Sequence, residues 1–232
     1  MKNIVNEKPA DTLAGRTLYI TKFVSDEDIK DKHVLDVGCG FGWFLLNCIN
    51  RGVKNIVGLE MGEDSLIVAK KYLNSERLSL NNGTATGLVF DNDSFDTVTA
   101  WDVIEHIPVR TEQAMFKEIY RVLKHNGVFY MSTPYRSFFC TILDPAWWLI
   151  GHRHYSQNEL VSIAEDRGFK VEQFEIRGGW WDLLAMWNMY ISKWVFRRKP
   201  FLISYFHKQS NKEYVKMGGF TQVFMKARAM KK

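Results

Sequence analysis

The sequence predicts an α/β fold, a seven-stranded and mostly parallel sheet with helices on both faces, and three observations carry that prediction. Short apolar runs alternate with amphipathic helical stretches from His33 to the end of the chain, the pattern of strands joined through crossover helices. Glycines at positions 38, 40 and 42 fall in the first strand-to-helix turn, where sheets of this kind place a ligand. The composition, 46% apolar and 25% charged over 232 residues, belongs to an ordered chain with one core plus insertions.

Taken in order, residues 1–30 are polar and mixed, with Leu13, Leu18, Tyr19, Ile20 and Phe23 spaced for one or two short helices that cap the fold. Residues 34–37 form the first apolar run, followed by glycines and a helical stretch over 43–50 that ends near Gly52. A second strand over 55–60 leads into a helix through Ala69 and Tyr72, then a weaker strand over 78–80 and a strand over 95–100. Residues 111–124 read as an amphipathic helix, Met115, Ile119, Val122 and Leu123 on one side, with Gly127 as its C-terminal cap. Residues 128–131 make the next buried strand, and 134–154 read as irregular and aromatic. Ser156-Gln157-Asn158-Glu159 fits a capping box opening a helix to Arg167. Strands over 169–176 and 220–227 complete the seven.

The net charge of +5 favours anionic partners without choosing among them. Cys39, Cys48 and Cys140 make no disulfide framework, and residues 1–8 lack the apolar core of a signal peptide, which predicts a reduced, cytoplasmic protein. No window reaches the roughly 20 apolar residues of a membrane span; the nearest, residues 180–196, is interrupted by Asp182, Asn188 and Lys193.

Glycine lets the first turn bend sharply and approach a ligand, although tight turns also use it for structure alone. Glu60 ends the second strand 22 positions after Gly38, where a carboxylate can accept ribose hydroxyls; the alternative is a solvated strand-end acid. A dinucleotide fingerprint would need glycine where Trp43 stands, a residue too large for close helix-to-strand packing.

Val34-Leu35-Asp36-Val37-Gly38-Cys39-Gly40-Phe41-Gly42 resembles motif I of the class I S-adenosylmethionine-dependent methyltransferases. Glu60 is similar to that family's ribose-binding acid. Residues 83–90 resemble the stretch passing the adenine, and Asn92-Asp93-Ser94-Phe95-Asp96 the lead into strand four. The resemblance implies a Rossmann-like sheet with the last strand antiparallel, a core over 31–134, and acceptor-side insertions at 135–155 and 178–217, all in one methyltransferase domain over 1–232. It also implies S-adenosyl-L-methionine as cofactor, held by Asp36, Gly38, Cys39, Gly40, Glu60, Met61, Thr84, Ala85 and Trp101. Arg16 resembles an arginine that pairs with the cofactor carboxylate in related enzymes, a surface arginine being the alternative. Thr84 departs from the pattern, because the family usually has an acid there to accept from the adenine amino group.

Methyl transfer from a sulfonium is an in-line displacement, so alignment supplies much of the acceleration, and a hydroxyl acceptor adds the need for a base. Trp101-Asp102-Val103-Ile104-Glu105-His106 follows strand four, where the family's methyl group meets its substrate. His106 is the natural base by its pKa; the alternative is a histidine that only packs there. Asp102, Glu105 and His106 at i, i+3 and i+4 would share one face of a helical turn. That spacing resembles the acid-acid-histidine arrangement of the ubiquinone-pathway O-methyltransferases, where a divalent metal is implicated, and its oxygen ligands would suit Mg²⁺. A capping or solvated acid pair is the plainer reading.

Ser132-Thr133-Pro134-Tyr135 superficially resembles the motif of nucleic-acid amino methyltransferases but follows the fifth strand instead of the fourth, and no basic stripe interleaved with aromatics supports nucleic acid. His152-Arg153-His154-Tyr155 either lines the acceptor pocket or is a loop anchored by Tyr155, without the companions of a zinc site.

Six of the eight tryptophans lie beyond residue 146. At 100° per residue Trp180, Leu183, Leu184, Trp187, Ile191, Trp194 and Val195 share a face, closed by Arg197-Arg198-Lys199. Either a lid or dimer helix buries this stripe, or residues 180–199 form an interfacial helix in peripheral contact with a membrane, which would suit a lipid-linked acceptor. The function expected is O-methylation of a small or lipid-linked acceptor. Methylation of a sugar or glycan precursor, or a catalytically silent cofactor-binding role, are the alternatives, and the oligomeric state is left open.

Overall fold

The computed structural model describes residues 8, 9 and 13–231; the rest of the N-terminal stretch discussed above lies outside them. The elements run α1 (Arg16–Phe23), β1 (His33–Val37), α2 (Trp43–Asn50), β2 (Asn55–Glu60), α3 (Glu63–Tyr72), β3 (Leu78–Asn82), β4 (Phe95–Trp101), α4 (Glu112–Val122) and β5 (Leu123–Pro134). They continue with α5 (Phe138–Leu143), α6 (Pro145–Ile150), α7 (Gln157–Glu165), β6 (Phe169–Arg177), α8 (Trp180–Tyr190), α9 (Ile203–Val215) and β7 (Gln222–Ala229).

The seven strands form one sheet in the order β3-β2-β1-β4-β5-β7-β6. β1 pairs in parallel with β2 and β4, while β7 runs antiparallel to both β5 and β6. The order reverses beside β1, so the carboxyl ends of β1 and β4 flank the crevice in which open α/β sheets bind ligands. Because β7 is antiparallel, its first residue, Gln222, arrives at that same edge, paired with Pro134 at the end of β5.

One face of the sheet packs Leu35, Val37 and Ala100 against Phe116 and Ile119 of α4 and Leu160 of α7, all buried. The other packs Val34 and Ile56 against Ile20, Phe44, Leu45 and Tyr214, from α1, α2 and α9. Burial of each large apolar side chain contributes roughly 1.5–3 kcal/mol. The predicted capping box is present: Ser156 Oγ accepts from the Glu159 N–H while the Glu159 carboxylate accepts from the Ser156 N–H.

Away from the crevice the structure differs from the sequence reading at Gly127, at residues 134–154 and in the aromatic helix. Gly127 does not cap α4, which ends at Val122; it lies inside β5, where a Cβ would come within 3.0 Å of the Lys124 carbonyl oxygen. The left-handed turn residue is its neighbour Asn126, at φ 59°. Residues 134–154 are not irregular but carry α5 and α6, capped by Ser137 and Asp144, whose side chains accept from Cys140 N and Ala146 N. The long aromatic helix stops at Tyr190 and continues as a π-helical turn, Ile191–Val195, after which Arg197 is left-handed at φ 48°. Among the described residues no helix is long and apolar enough to cross a membrane.

Candidate active site

The β1-to-α2 loop is built on left-handed backbone. Gly38, Gly40 and Gly42 have φ of 70°, 53° and 88°, a region that other residues enter only with strain. A Cβ on Gly38 would come 2.5 Å from Val103 Cγ2, so the loop rests against the turn after β4. A Cβ on Gly40 would meet nothing within 4 Å. That backbone faces open space, as one that must approach a ligand does.

Glu60 closes the loop from β2. Its Oε2 accepts from the Gly40 N–H at 2.9 Å and its Oε1 from the Gly62 N–H at 2.8 Å, which holds the carboxylate at the sheet edge with a second lone pair on each oxygen still available. Met61 beside it is 71% exposed. Thr84 is exposed and bridges to Gly87, while Ala85 is buried. Trp101 packs edge-on to Phe44, and its buried indole N–H has no partner among the described protein groups.

Two predicted cofactor residues face the interior instead of the crevice. Asp36 is buried within β1, accepts from Thr99 Oγ1 at 2.6 Å, and has its pKa pushed up to about 7 by burial and by the Glu60 charge. Cys39 is buried with its thiol pKa raised by the same desolvation. Their place is beneath the loop, where they support it.

Asp102 follows β4 in a left-handed conformation, φ 54°, and residues 102–107 form a turn instead of a helix. The i, i+3, i+4 face expected for Asp102, Glu105 and His106 is therefore not formed. Asp102 Oδ2 pairs with Arg16 at 2.7 Å. Its Oδ1 accepts from Ser132 Oγ at 2.8 Å and from the Gln222 side-chain amide. Arg16 thus reaches the crevice, but its partner in this structure is Asp102. Glu105 turns inward, 3% exposed; its Oε2 accepts from Thr133 Oγ1 at 3.0 Å and its Oε1 has no partner. Burial, with the charge of Asp102, pushes its pKa well up.

His106 keeps a ring nitrogen within 4.8 Å of a Glu105 carboxylate oxygen, and its Nε2 lies 3.0 Å from His152 Nε2. One ring nitrogen donates to the other, so both cannot be protonated there. Desolvation and the adjacent His152 push the His106 pKa down to about 4, leaving a neutral imidazole at physiological pH. Behind His152, Asp144 lies 3.6 Å from Nδ1 and also accepts from His154 at 2.8 Å. Although burial opposes it, the hydrogen bonds from His154 and the Ala146 N–H, with His152 nearby, hold the Asp144 pKa down. Arg153 fastens this segment to the β4 turn, donating to the Ile104 carbonyl at 2.6 Å and pairing with Glu112, while Tyr155 donates to the same carbonyl at 3.1 Å. Residues 152–155 thus both anchor the loop through Arg153 and Tyr155 and place His152 at the site.

The sequence reading missed Asp144 and Gln222. An Asp-Pro pair at the head of a helix was a visible capping signal for the first. Nothing local marks Gln222, which reaches Asp102 only because the last strand is antiparallel.

Residues 34–127 match a family model described as a methyltransferase domain. The ubiquinone biosynthesis O-methyltransferase of Coxiella burnetii is 32% identical over 125 residues, 53% of this chain and 51% of that protein. The sterol 24-C-methyltransferase of Aspergillus fumigatus is 36% identical over 100 residues, 41% of this chain and 26% of that one. The chain spans about half the length of the first of these relatives. Among solved structures, an S-adenosylmethionine-dependent methyltransferase from Mesorhizobium loti shares the fold, with a TM-score of 0.61 at 16% identity over 87% of this chain and 92% of that one. The chain is thus similar to methyltransferases of this kind, and residues 34–127, which begin in the strand before the glycine loop, carry the methyltransferase domain.

Proposed function

We propose that the chain methylates a hydroxyl of a small or lipid-linked acceptor, with His106 as general base. The observation that carries this reading is the file of His106, His152 and Asp144 at the edge of the crevice that Gly40 and Glu60 line. S-adenosylmethionine, when bound, supplies an electrophilic methyl group on a sulfonium. The open backbone at Gly40 and the fixed Glu60 carboxylate fit it, Glu60 taking the ribose hydroxyls and Met61, Thr84 and Ala85 bordering the adenine. Arg16, Asp102 and Trp101 flank the reacting end.

A neutral His106 takes the acceptor proton on its free ring nitrogen, and His152, backed by Asp144, stabilises the charge that develops. Ordering by a second histidine and a carboxylate follows the logic of base–orienter pairs in general. The relatives name both an oxygen and a carbon acceptor, so the choice of oxygen rests on this base.

Mg²⁺ has no part in the scheme. Asp102 is engaged by Arg16, Ser132 and Gln222, and among the described residues the groups whose ligand atoms do lie within 4.8 Å of one another are Glu105, His106 and His152. Two imidazoles and one buried carboxyl are a donor set foreign to Mg²⁺. The test is release of S-adenosylhomocysteine from methyl-labelled cofactor with a panel of catechol, sugar and lipid-extract acceptors. Label on an acceptor oxygen in the wild type, and its loss in His106→Gln, supports the reading. Cofactor binding without turnover on any acceptor favours the silent alternative.

A further inference from the structure

We propose that the surface formed by α5, α6, α8, the π-helical turn and the start of α9 docks on an anionic lipid membrane. Nothing in methyl transfer requires this surface, and binding to lipid can be read without turnover.

The aromatic stripe, for which burial under a lid or dimer helix and an interfacial face are the two readings, is largely open. Leu183 alone of it is buried, while Trp180, Leu184, Trp187, Ile191, Trp194 and Val195 are each 41–68% exposed. Further apolar exposure adjoins it: Phe138 at 74%, Trp148 at 69%, Phe196 at 56% and Leu202 at 75%. These residues belong to one surface. Phe139 lies 5.0 Å from Trp180 between ring centroids, the Trp187 indole donates to the Leu143 carbonyl at 2.8 Å, and Phe196 meets Phe201 edge-on at 5.5 Å. A monomer seldom exposes so continuous an apolar area without a partner.

Charge selects the partner. The 30 residues from 183 to 212 contain six Lys or Arg and no Asp or Glu. Arg197, Arg198 and Lys199 are exposed at the border of the aromatic surface, Arg198 stacked 4.2 Å over the Phe201 ring. The acids of α5, α6 and α8 do not offset them: Asp144 is buried among histidines and Asp182 accepts from Thr221 Oγ1 at 2.7 Å. A second copy of the chain docked face to face would set these cations against each other without a carboxylate between them. Anionic headgroups supply the missing charge, and the apolar side chains, Trp in particular, suit the boundary between headgroup and acyl chain. The surface also lies beside His152 and Asp144, since α6 begins at Asp144, so docking would present the crevice to an acceptor held in the bilayer.

The test is co-sedimentation of the full chain with phosphatidylcholine vesicles and with mixed phosphatidylcholine–phosphatidylglycerol vesicles at low and high salt. We expect binding to the mixed vesicles, weakened by salt, with a blue shift of tryptophan emission. Replacing Arg197, Arg198 and Lys199 by Ala should weaken it about fivefold per cation. The pair Val195→Glu and Phe196→Glu should abolish it while leaving the melting temperature unchanged, because both side chains are already exposed. No binding to mixed vesicles at low salt overturns the proposal. So does binding that both variants retain, or a stable dimer that the acidic pair dissociates and that ignores vesicles.

Discussion

Replacing Glu60 by Gln tests the cofactor site with one atom changed. Each carboxylate oxygen accepts from a backbone N–H, Gly40 at 2.9 Å and Gly62 at 2.8 Å. Glutamine offers only one acceptor oxygen, so its amide nitrogen must face one of these two donors. Either the glycine loop loses its tether or Gly62 does, and the charged acceptor for the ribose hydroxyls is lost as well. Losing one hydrogen bond to a charged group removes about 1.5–3 kcal/mol, which corresponds to roughly ten- to hundredfold in Kd. Calorimetric titration with S-adenosylhomocysteine measures it. An affinity within twofold of wild type would refute the placement of the ribose on Glu60.

His106→Gln should lower kcat by about 10²- to 10⁴-fold with S-adenosylhomocysteine affinity unchanged, and the wild-type rate should fall only as pH drops toward about 4, where His106 protonates. A rate that already falls by half near pH 6.5 would place the base elsewhere. Asp36 titrates in the opposite sense: its folded pKa of about 7 lies above the unfolded 3.8, so the folded state binds the extra proton. Stability is then full below pH 3.8 and is lost as pH rises through 7, by about 4 kcal/mol for three units. Urea unfolding from pH 5 to 8 should show this decline in the wild type and not in Asp36→Asn, and parallel profiles would contradict it. EDTA should leave methyl transfer undiminished; a loss restored by Mg²⁺ would return the metal to the mechanism.

The strands and the cofactor loop were legible because local pattern decides them. The apolar runs of β1 and β2, the glycines of the first turn and Glu60 lie within one βαβ unit, where spacing fixes geometry. The capping box at Ser156 was legible for the same reason. What was not legible depends on long-range closure. Gln222 reaches Asp102 through the antiparallel β7 and Ser132 through the β4–β5 pairing, and Asp144 reaches His152 through the packing of α6. The left-handed backbone at Asp102 breaks the helical spacing on which the acid-acid-histidine face was founded. Only the first part of the aromatic stripe keeps its helical spacing: the π-helical turn after Tyr190 ends the regular 100° advance.

The most direct test of the cofactor assignment is a crystal of the full chain soaked with S-adenosylhomocysteine. The account predicts density with the ribose hydroxyls on Glu60, the adenine between Met61 and Ala85, and the sulfur turned toward Asp102 and His106. Density for the ligand away from the Gly38–Gly40 loop, or a loop left empty at saturating ligand, would contradict it.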